Sequence, residues 1–508
     1  MKKELYVRNG IVLALTTLLI RSIGMVFRIF LCDTLGAEGM GLYQLILSVY
    51  IVFAAVSSSG VSLCATRLYA DHMAAGDGGK ALYAVRRCLL FSMLTGIMAG
   101  GLLLLSAEPI AAGILHDQRA ATSLRILAPS LPFLAVSACI RGYFLARRKT
   151  LPASAEQFLE QVLEIGCFML LFSVQKPQTL SDACAMTVTG TTIAEVLSLI
   201  FSLGCYYHDK KRLDSRSVPF RGLWRQMLPV FLPVSANACL RSGLSAAENA
   251  LIPVGLQRWG YTEKEALSRY GVISGMSMMV LVFPSVLILP FAALIVSEIA
   301  EVRVRRHTKS VRHISEVMLI KTLQFALPVT VLFLFYAEPL CLLLFKNAEA
   351  GKYLSLLAPV IPFMYLDSVV DALLKGLNEQ TGYFIFNTID SIVRVLLTIF
   401  LLPIWGIYGV IVVIIVSELL NTLLSLWRLV SVTRLRLSFR RHILLPLALM
   451  LLPCLLLRLL PSIGYGGWDV IFRIGTACLS YAAALYAGQK FRLSAASLGK
   501  KTGETRFT

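Results

Sequence analysis

Residues 124–133 read LRILAPSLPF, and residues 354–363 read LSLLAPVIPF. A leucine, a Leu-Ala-Pro triplet and a Pro-Phe pair recur at identical offsets, and each copy is read as opening a membrane helix. A pair of prolines alone would mean little, because kinked membrane helices are common. A ten-residue pattern at matching places in two halves is a repeat. A weaker echo joins Arg21-Ser22 to Arg241-Ser242, both in mid-span. The halves are then spans one to six and seven to twelve. Six is even, so both halves enter the membrane from the same side, as a parallel repeat about an axis along the membrane normal. Such pairs are typical of transporters that rock around a central site; a repeat kept only for packing is the alternative.

Composition fixes the solvent of this repeat. The chain has 508 residues, 57% hydrophobic and 15% charged, with mean hydropathy +0.74. A soluble domain carries about 25% charge, so too few charged residues are present to coat a water-facing surface. Apolar runs of roughly 20 residues match a hydrocarbon core about 30 Å thick, and they are too long and continuous for barrel strands. The expected fold is an all-α polytopic membrane protein with about fourteen transmembrane helices. The spans fall at 10–31, 39–63, 85–106, 122–145, 155–175, 184–207, 223–250, 268–297, 317–337, 353–374, 382–402, 405–430, 442–460 and 470–488. They divide into an N-terminal lobe (1–220), a C-terminal lobe (221–435) and an appendix of two helices with a tail (436–508).

The net charge of +19 is a topology signal and not a nucleic-acid footprint. With both termini inside, roughly 34 of the basic residues fall in cytoplasmic segments and roughly 8 outside. The inner segments include 210–225, 303–312 and 428–441, whereas the outer loops are short and neutral or acidic, as at 32–39 (CDTLGAEG). The apolar start is broken by Arg21 and Arg28 and lacks a small-residue cleavage site, so it reads as an uncleaved first helix. The eleven cysteines form no CxxC pair and behave as small hydrophobes. No histidine spacing suits a metal, and no phosphate-loop, HExxH or GxSxG motif occurs. No cofactor is expected, and no enzyme activity.

Ionisable groups inside spans usually face a protein interior or a wet cavity. Arg21 and Arg28 share span one, seven residues apart and so nearly on one face. Span seven carries Arg241 and Glu248. Glu160 and Glu164 lie on span five, Glu195 on span six, Asp367 and Asp371 on span ten, Asp390 and Arg394 on span eleven, and Glu418 on span twelve. Guanidinium forks grip phosphate oxygens and stay charged when partly desolvated, so Arg21 and Arg241, with Arg28, suit a diphosphate head group; pairing with internal carboxylates, or snorkelling of Arg28, is the plainer reading. Asp390 and Arg394 have the order of an intrahelical ion pair. At the repeat offset they coincide with Glu160 and Glu164, two acids whose mutual repulsion suits a proton or cation site. Glu248, Asp367, Asp371, Asp390 and Glu418 are further candidates for coupling H+ or Na+. Mid-span prolines offer bending points.

Three stretches carry a family resemblance. Residues 21–71, with LGAEGMGLYQL and VSSSGVSLCATRLYAD, resemble the stage V sporulation protein B group, as do 270–301 and 354–409. That group sits in the polysaccharide-export branch of the MATE-like (multidrug/oligosaccharidyl-lipid/polysaccharide) superfamily, beside the lipid II flippase. The resemblance implies two six-helix lobes around a central cavity, alternating access, and a polyprenyl-diphosphate-linked saccharide as cargo, its lipid tail leaving sideways into the bilayer. It implies that Arg21, Arg28 and Arg241 line the cavity. The arginine of that family's second helix has no counterpart here; Gln44 is the polar group at hand. The implied setting is a bacterial cytoplasmic membrane, with cortex peptidoglycan synthesis in spore formers as one role. Two rivals remain: a cation-coupled multidrug exporter of the same architecture, whose cavity should be acidic or aromatic, and a polytopic polyprenyl-linked glycosyltransferase, which needs a larger external loop than this chain has.

Overall fold

A computed structural model describes residues 2–211, 218–220, 222–304, 308–435, 443–459 and 467–504. The basic runs at 212–217, 305–307 and 436–442 lie outside the described residues. In chain order the helices are α1 (Lys2–Ala74), α2 (Gly78–Gly113), α3 (Ala120–Leu127), α4 (Ser130–Ala146), α5 (Thr150–Val174), α6 (Leu180–Lys211), α7 (Leu223–Trp259) and α8 (Glu263–Tyr270). They continue as α9 (Met278–Val282), α10 (Leu289–Val304), α11 (Thr308–Phe345), α12 (Ala348–Leu357), α13 (Ile361–Gly376), α14 (Gln380–Trp405), α15 (Ile407–Thr433), α16 (Leu445–Leu459) and α17 (Gly467–Glu504). No strand occurs among the described residues. Among the described residues ten helices are long and apolar enough to cross a membrane, the bent pair α3–α4 makes an eleventh, and Leu445–Arg458 is a shorter apolar helix.

One of those ten holds two crossings. The apolar part of α1, Thr16–Ala74, is 59 residues, about 90 Å of helix against a core of about 30 Å. It is broken at Gly36, which takes φ 70° and ψ −178°. The sequence reading places a loop at 32–39; the chain instead stays helical up to and beyond Gly36. Glycine adopts positive φ without a Cβ penalty, so one residue replaces a loop. Two crossings in α1, together with α7, keep the fold compatible with about fourteen spans.

The LAP motifs also sit differently from the sequence reading. They do not open helices; they break them. Helix α3 runs up to the first motif and α4 leaves it at 45°. At the second, a short 3-10 turn (Ala358–Val360) separates α12 from α13. Proline lacks the N–H that would bond the carbonyl one turn back, and in the first half hydroxyls cover carbonyls at the break. Thr192 Oγ1 donates to Ile126 O at 3.0 Å and Ser130 Oγ to Leu127 O at 2.7 Å. In the second half Thr422 Oγ1 donates to Phe363 O at 3.0 Å. Thr192 and Thr422 are equivalent at the offset that aligns Leu124 with Leu354.

The chain forms two compact units, Met1–Met279 with Asn387–Ser417, and Val280–Phe386 with Glu418–Thr508. In the first, α1 packs along α7, α4 and α2, and α5 along α6. Glycines set the closest approaches: a Cβ on Gly96 or Gly100 would run into the backbone at Pro132 or Ala128 beside the α3–α4 break. Small residues one turn apart are the usual device for close helix packing in lipid. Aromatic rings pack near the C-terminal end of α4, where Tyr143 meets Tyr69 and Tyr206 edge-on with centroids 5.1 Å apart. In the second unit α11 packs against α12, α13, α16 and α17, and Tyr481 Oη reaches Gln324 O at 2.7 Å.

Candidate functional site

The first unit holds every arginine singled out above. Arg21, Gly24 and Arg28 fall three and four residues apart on α1, which sets them on one face. Gly24 lies against α5, where a Cβ would stand 3.3 Å from Gln161 Oε1. Arg21 and Arg28 are exposed, and neither makes an ion pair or hydrogen bond with a described residue. Arg28 stands within electrostatic range of Glu164 and Tyr43. Arg241 is exposed on α7, beside Ser242, whose hydroxyl folds back to Ala238 O at 2.6 Å. Contact between α1 and α7 is made by later residues of α1, with Gly60 against Phe231 and Ser235, and Cys64 Sγ 3.5 Å from Met227 O. Gln44 is half-buried in that same part of α1.

Next to this face lies a buried acidic group. Helix α5 presents Glu156, Glu160 and Glu164 at intervals of four, so all three share a face, and α6 adds Glu195. Glu156 is 1% exposed and Glu195 4%, a degree of burial that carboxylates reach only when paired or neutralised. Among the described residues Arg141 of α4 pairs with two of them, its Nη1 2.7 Å from Glu156 and 4.0 Å from Glu160. Glu164 accepts from Thr191 Oγ1 at 2.9 Å and from Gln161 Nε2 at 3.2 Å. Tyr50 Oη, paired with Ser130 Oγ at 2.8 Å, faces the group from α1.

The other acids divide between the units. In the first, Arg394 lies 3.6 Å from Asp390 and 3.7 Å from Glu248, and Ser417 links the pair by accepting from Arg394 Nε and donating to Asp390. The bonded Asp390 and Arg394 thus have the geometry of an intrahelical ion pair, and Glu248, seven residues from Arg241, joins them. In the second unit, Asn421 Nδ2 donates to Asp367 Oδ2 at 3.1 Å, and Asp371 and Glu418 are half-buried with partners of their own.

Arg141 and Glu156 are absent from the sequence reading. Arg141 had a visible signal, a base inside the span 122–145, but it merges with the cytoplasmic run Arg147, Arg148 and Lys149. Those three follow the end of α4, where Arg147 and Lys149 bind Asp209 of α6, with Lys149 Nζ at 2.6 Å. At the repeat offset Arg141 coincides with Asp371, and Glu164 with Arg394: acid and base have changed places between the halves.

Repeated proline-broken spans and arginines within apolar helices fit a class: membrane proteins with the fold of the MATE-like superfamily. The particulars agree. Residues 6–242 match the family model described as polysaccharide biosynthesis protein. Stage V sporulation protein B of Bacillus subtilis (strain 168) is 24% identical over 434 residues, 84% of this chain and 83% of that protein. Among solved structures, the lipid II flippase MurJ in an inward closed conformation superposes with TM-score 0.71 at 16% identity, covering 94% of this chain and 99% of that one. An inward-facing multidrug resistance MATE transporter does so with TM-score 0.64 at 15% identity, covering 83% and 99%. The chain is thus a multi-pass membrane protein, and its resemblance to this superfamily extends over most of its length.

Proposed function

We propose that the protein moves a polyprenyl-diphosphate-linked saccharide across the cytoplasmic membrane by alternating access, with both ends of the chain on the cytoplasmic side. One observation carries the reading: Arg21 and Arg28 stand on one face of a membrane helix, exposed and without an ion pair to any described residue. An arginine at the centre of a bilayer costs about 2.5–3.5 kcal/mol or more, so two that make no ion pair with a described residue call for an anionic partner from outside the chain. A diphosphate offers two sets of oxygens to two planar forks. Arg241 supplies a third cation and Gln44 a neutral donor for sugar hydroxyls. One relative is named for sporulation, one solved neighbour is named a lipid II flippase, and the matching family model is described as polysaccharide biosynthesis; these names support a cell-wall or polysaccharide precursor as cargo, cortex peptidoglycan precursors included.

The test is binding of a short-chain polyprenyl diphosphate to the full chain in nanodiscs. Arg21→Gln and Arg28→Gln should each weaken binding about tenfold or more, equivalent to about 1.4 kcal/mol. The uncharged prenol should not bind. Equal affinity in wild type and both variants would remove the clamp.

A second reading, cation-coupled export of a cationic drug, is favoured by the acidic group on α5 and α6 and by the likeness to MATE structures. Saturable binding of a cationic dye at the arginine face, unaffected by polyprenyl diphosphate, would prefer it. Coupling to H+ or Na+ through Glu160, Glu164, Glu248, Asp367, Asp371, Asp390 or Glu418 is compatible with either cargo.

A further inference from the structure

We infer, resting on the anion reading proposed above, that Gly24 is a specificity-determining position: a notch over which a diphosphate lies so that Arg21 and Arg28 grip it together. Seven residues of helix separate the two arginines by about 10 Å along α1. The two phosphates of a diphosphate share one bridging oxygen and lie much closer together than that. Both forks must therefore lean inward, and the group they grip sits above the residue between them. Gly24, three residues after Arg21 and four before Arg28, is that residue and shares their face. Two linked phosphates need the space over it; a single phosphate, held by one fork, does not.

Position 24 is shaped for such an approach. Glycine lets a ligand come up to the backbone because no Cβ stands in the way. Beyond its own helix backbone and chain neighbours, a Cβ there would have only Gln161 of α5 within 4 Å, with Oε1 at 3.3 Å and Cδ at 3.8 Å. One side of the notch is thus floored by Gln161 and the rest is open. The floor is held in place. Gln161 Nε2 donates to Glu164 Oε2 at 3.2 Å, and Glu164 Oε1 accepts from Thr191 Oγ1 of α6 at 2.9 Å. Phe27 and Phe30 fasten α1 to the same helix, their ring centroids 5.3 and 5.8 Å from that of Phe168. With Nε2 engaged, the atom of Gln161 toward α1 is an acceptor, which repels a phosphate oxygen and suits a guanidinium. Gln161 therefore keeps the anion on the arginine side of the notch.

The echo of this segment in α7 lacks both parts. Aligned on Arg21-Ser22 and Arg241-Ser242, Leu244 falls at the place of Gly24 and Glu248 at the place of Arg28. Where the second arginine is missing, the gap for a shared ligand is filled by a leucine. The bare position goes with the pair of cations.

Binding of a short-chain polyprenyl diphosphate and of the matching monophosphate to the full chain in nanodiscs tests the notch. Wild type should prefer the diphosphate about tenfold or more, the difference made by a second charge-assisted grip. Gly24→Leu should bring that ratio close to one by weakening the diphosphate alone, and Gly24→Ala should lower it part of the way. Adding Gln161→Ala to Gly24→Ala should not restore the ratio, because the notch stays filled; full restoration would trace the loss to pressure on α5 and overturn the inference. Gly166→Ala on α5, where a Cβ meets nothing within 4 Å, should leave both affinities as they are. A preference that survives in Gly24→Leu and Gly24→Ala while Arg21→Gln loses it would overturn the inference and spare the clamp. Equal affinity of wild type, Arg21→Gln and Arg28→Gln for the diphosphate would remove the clamp and the notch together.

Discussion

Arg141 is the residue on which the first unit's buried acids depend, and its removal is more damaging than its place in the sequence suggests. Glu156 would keep its burial and lose its only base. Breaking a buried pair from one side costs about 3–5 kcal/mol, much of it the penalty of the charge left behind. Arg141→Ala should therefore lower the melting temperature in detergent sharply, and adding Glu156→Gln should restore more than half of the loss. A double variant no more stable than Arg141→Ala would show that the pair is not the source of the effect. The residue types were legible in the sequence; their grouping was not. Glu160 and Glu164 stood out because helical spacing puts them on one face, and Asp390 and Arg394 because the acid precedes the base by one turn. Spacing along one helix says nothing about which neighbour faces it, and Arg141 reaches Glu156 from a different helix whose direction is set by the break at Pro129.

At the scale of the element, proline and glycine divide the work. The two LAP motifs were readable as a repeat, and prolines as bending points, but whether a motif opens a helix or breaks one depends on side chains elsewhere. Thr192 covers a carbonyl at the first break and Thr422 bonds Phe363 O just past the second, and both are far from the motifs in sequence. The loop expected at 32–39 failed for a similar reason: polar composition marks a link, whereas Gly36 makes it with one residue. Helix α2 offers a controlled test of the packing. A methyl on Gly96 would meet the backbone of Pro132, while one on Gly101 would meet nothing. Gly96→Ala should cost about 1–3 kcal/mol by overpacking, and Gly101→Ala should cost none, glycine being the poorer helix former. Thermal denaturation of the two purified variants side by side checks this; equal stability would mean that α4 gives way without strain.

For the whole molecule, hydropathy and loop charge were enough to give an all-α polytopic membrane protein, because the bilayer admits so few solutions. The resemblance to the MATE-like superfamily then supplied the architecture, and the fold agrees with it. Cargo is a different matter. Neighbours of the same fold carry different names, so substrate is decided by the site and not by the scaffold. Here the proposed site is a basic face on α1 beside acidic residues of α5 and α6, an arrangement suited to an anion.

The most direct measurement is movement itself. Proteoliposomes containing the purified chain, loaded with a labelled polyprenyl-diphosphate disaccharide, can be probed with an enzyme or quencher that reaches one leaflet only. The account predicts that the disaccharide changes leaflet in wild-type vesicles and stays in place in vesicles bearing Arg21→Ala or Arg241→Ala, both still folded and inserted. Equal movement in wild-type, variant and protein-free vesicles would contradict it.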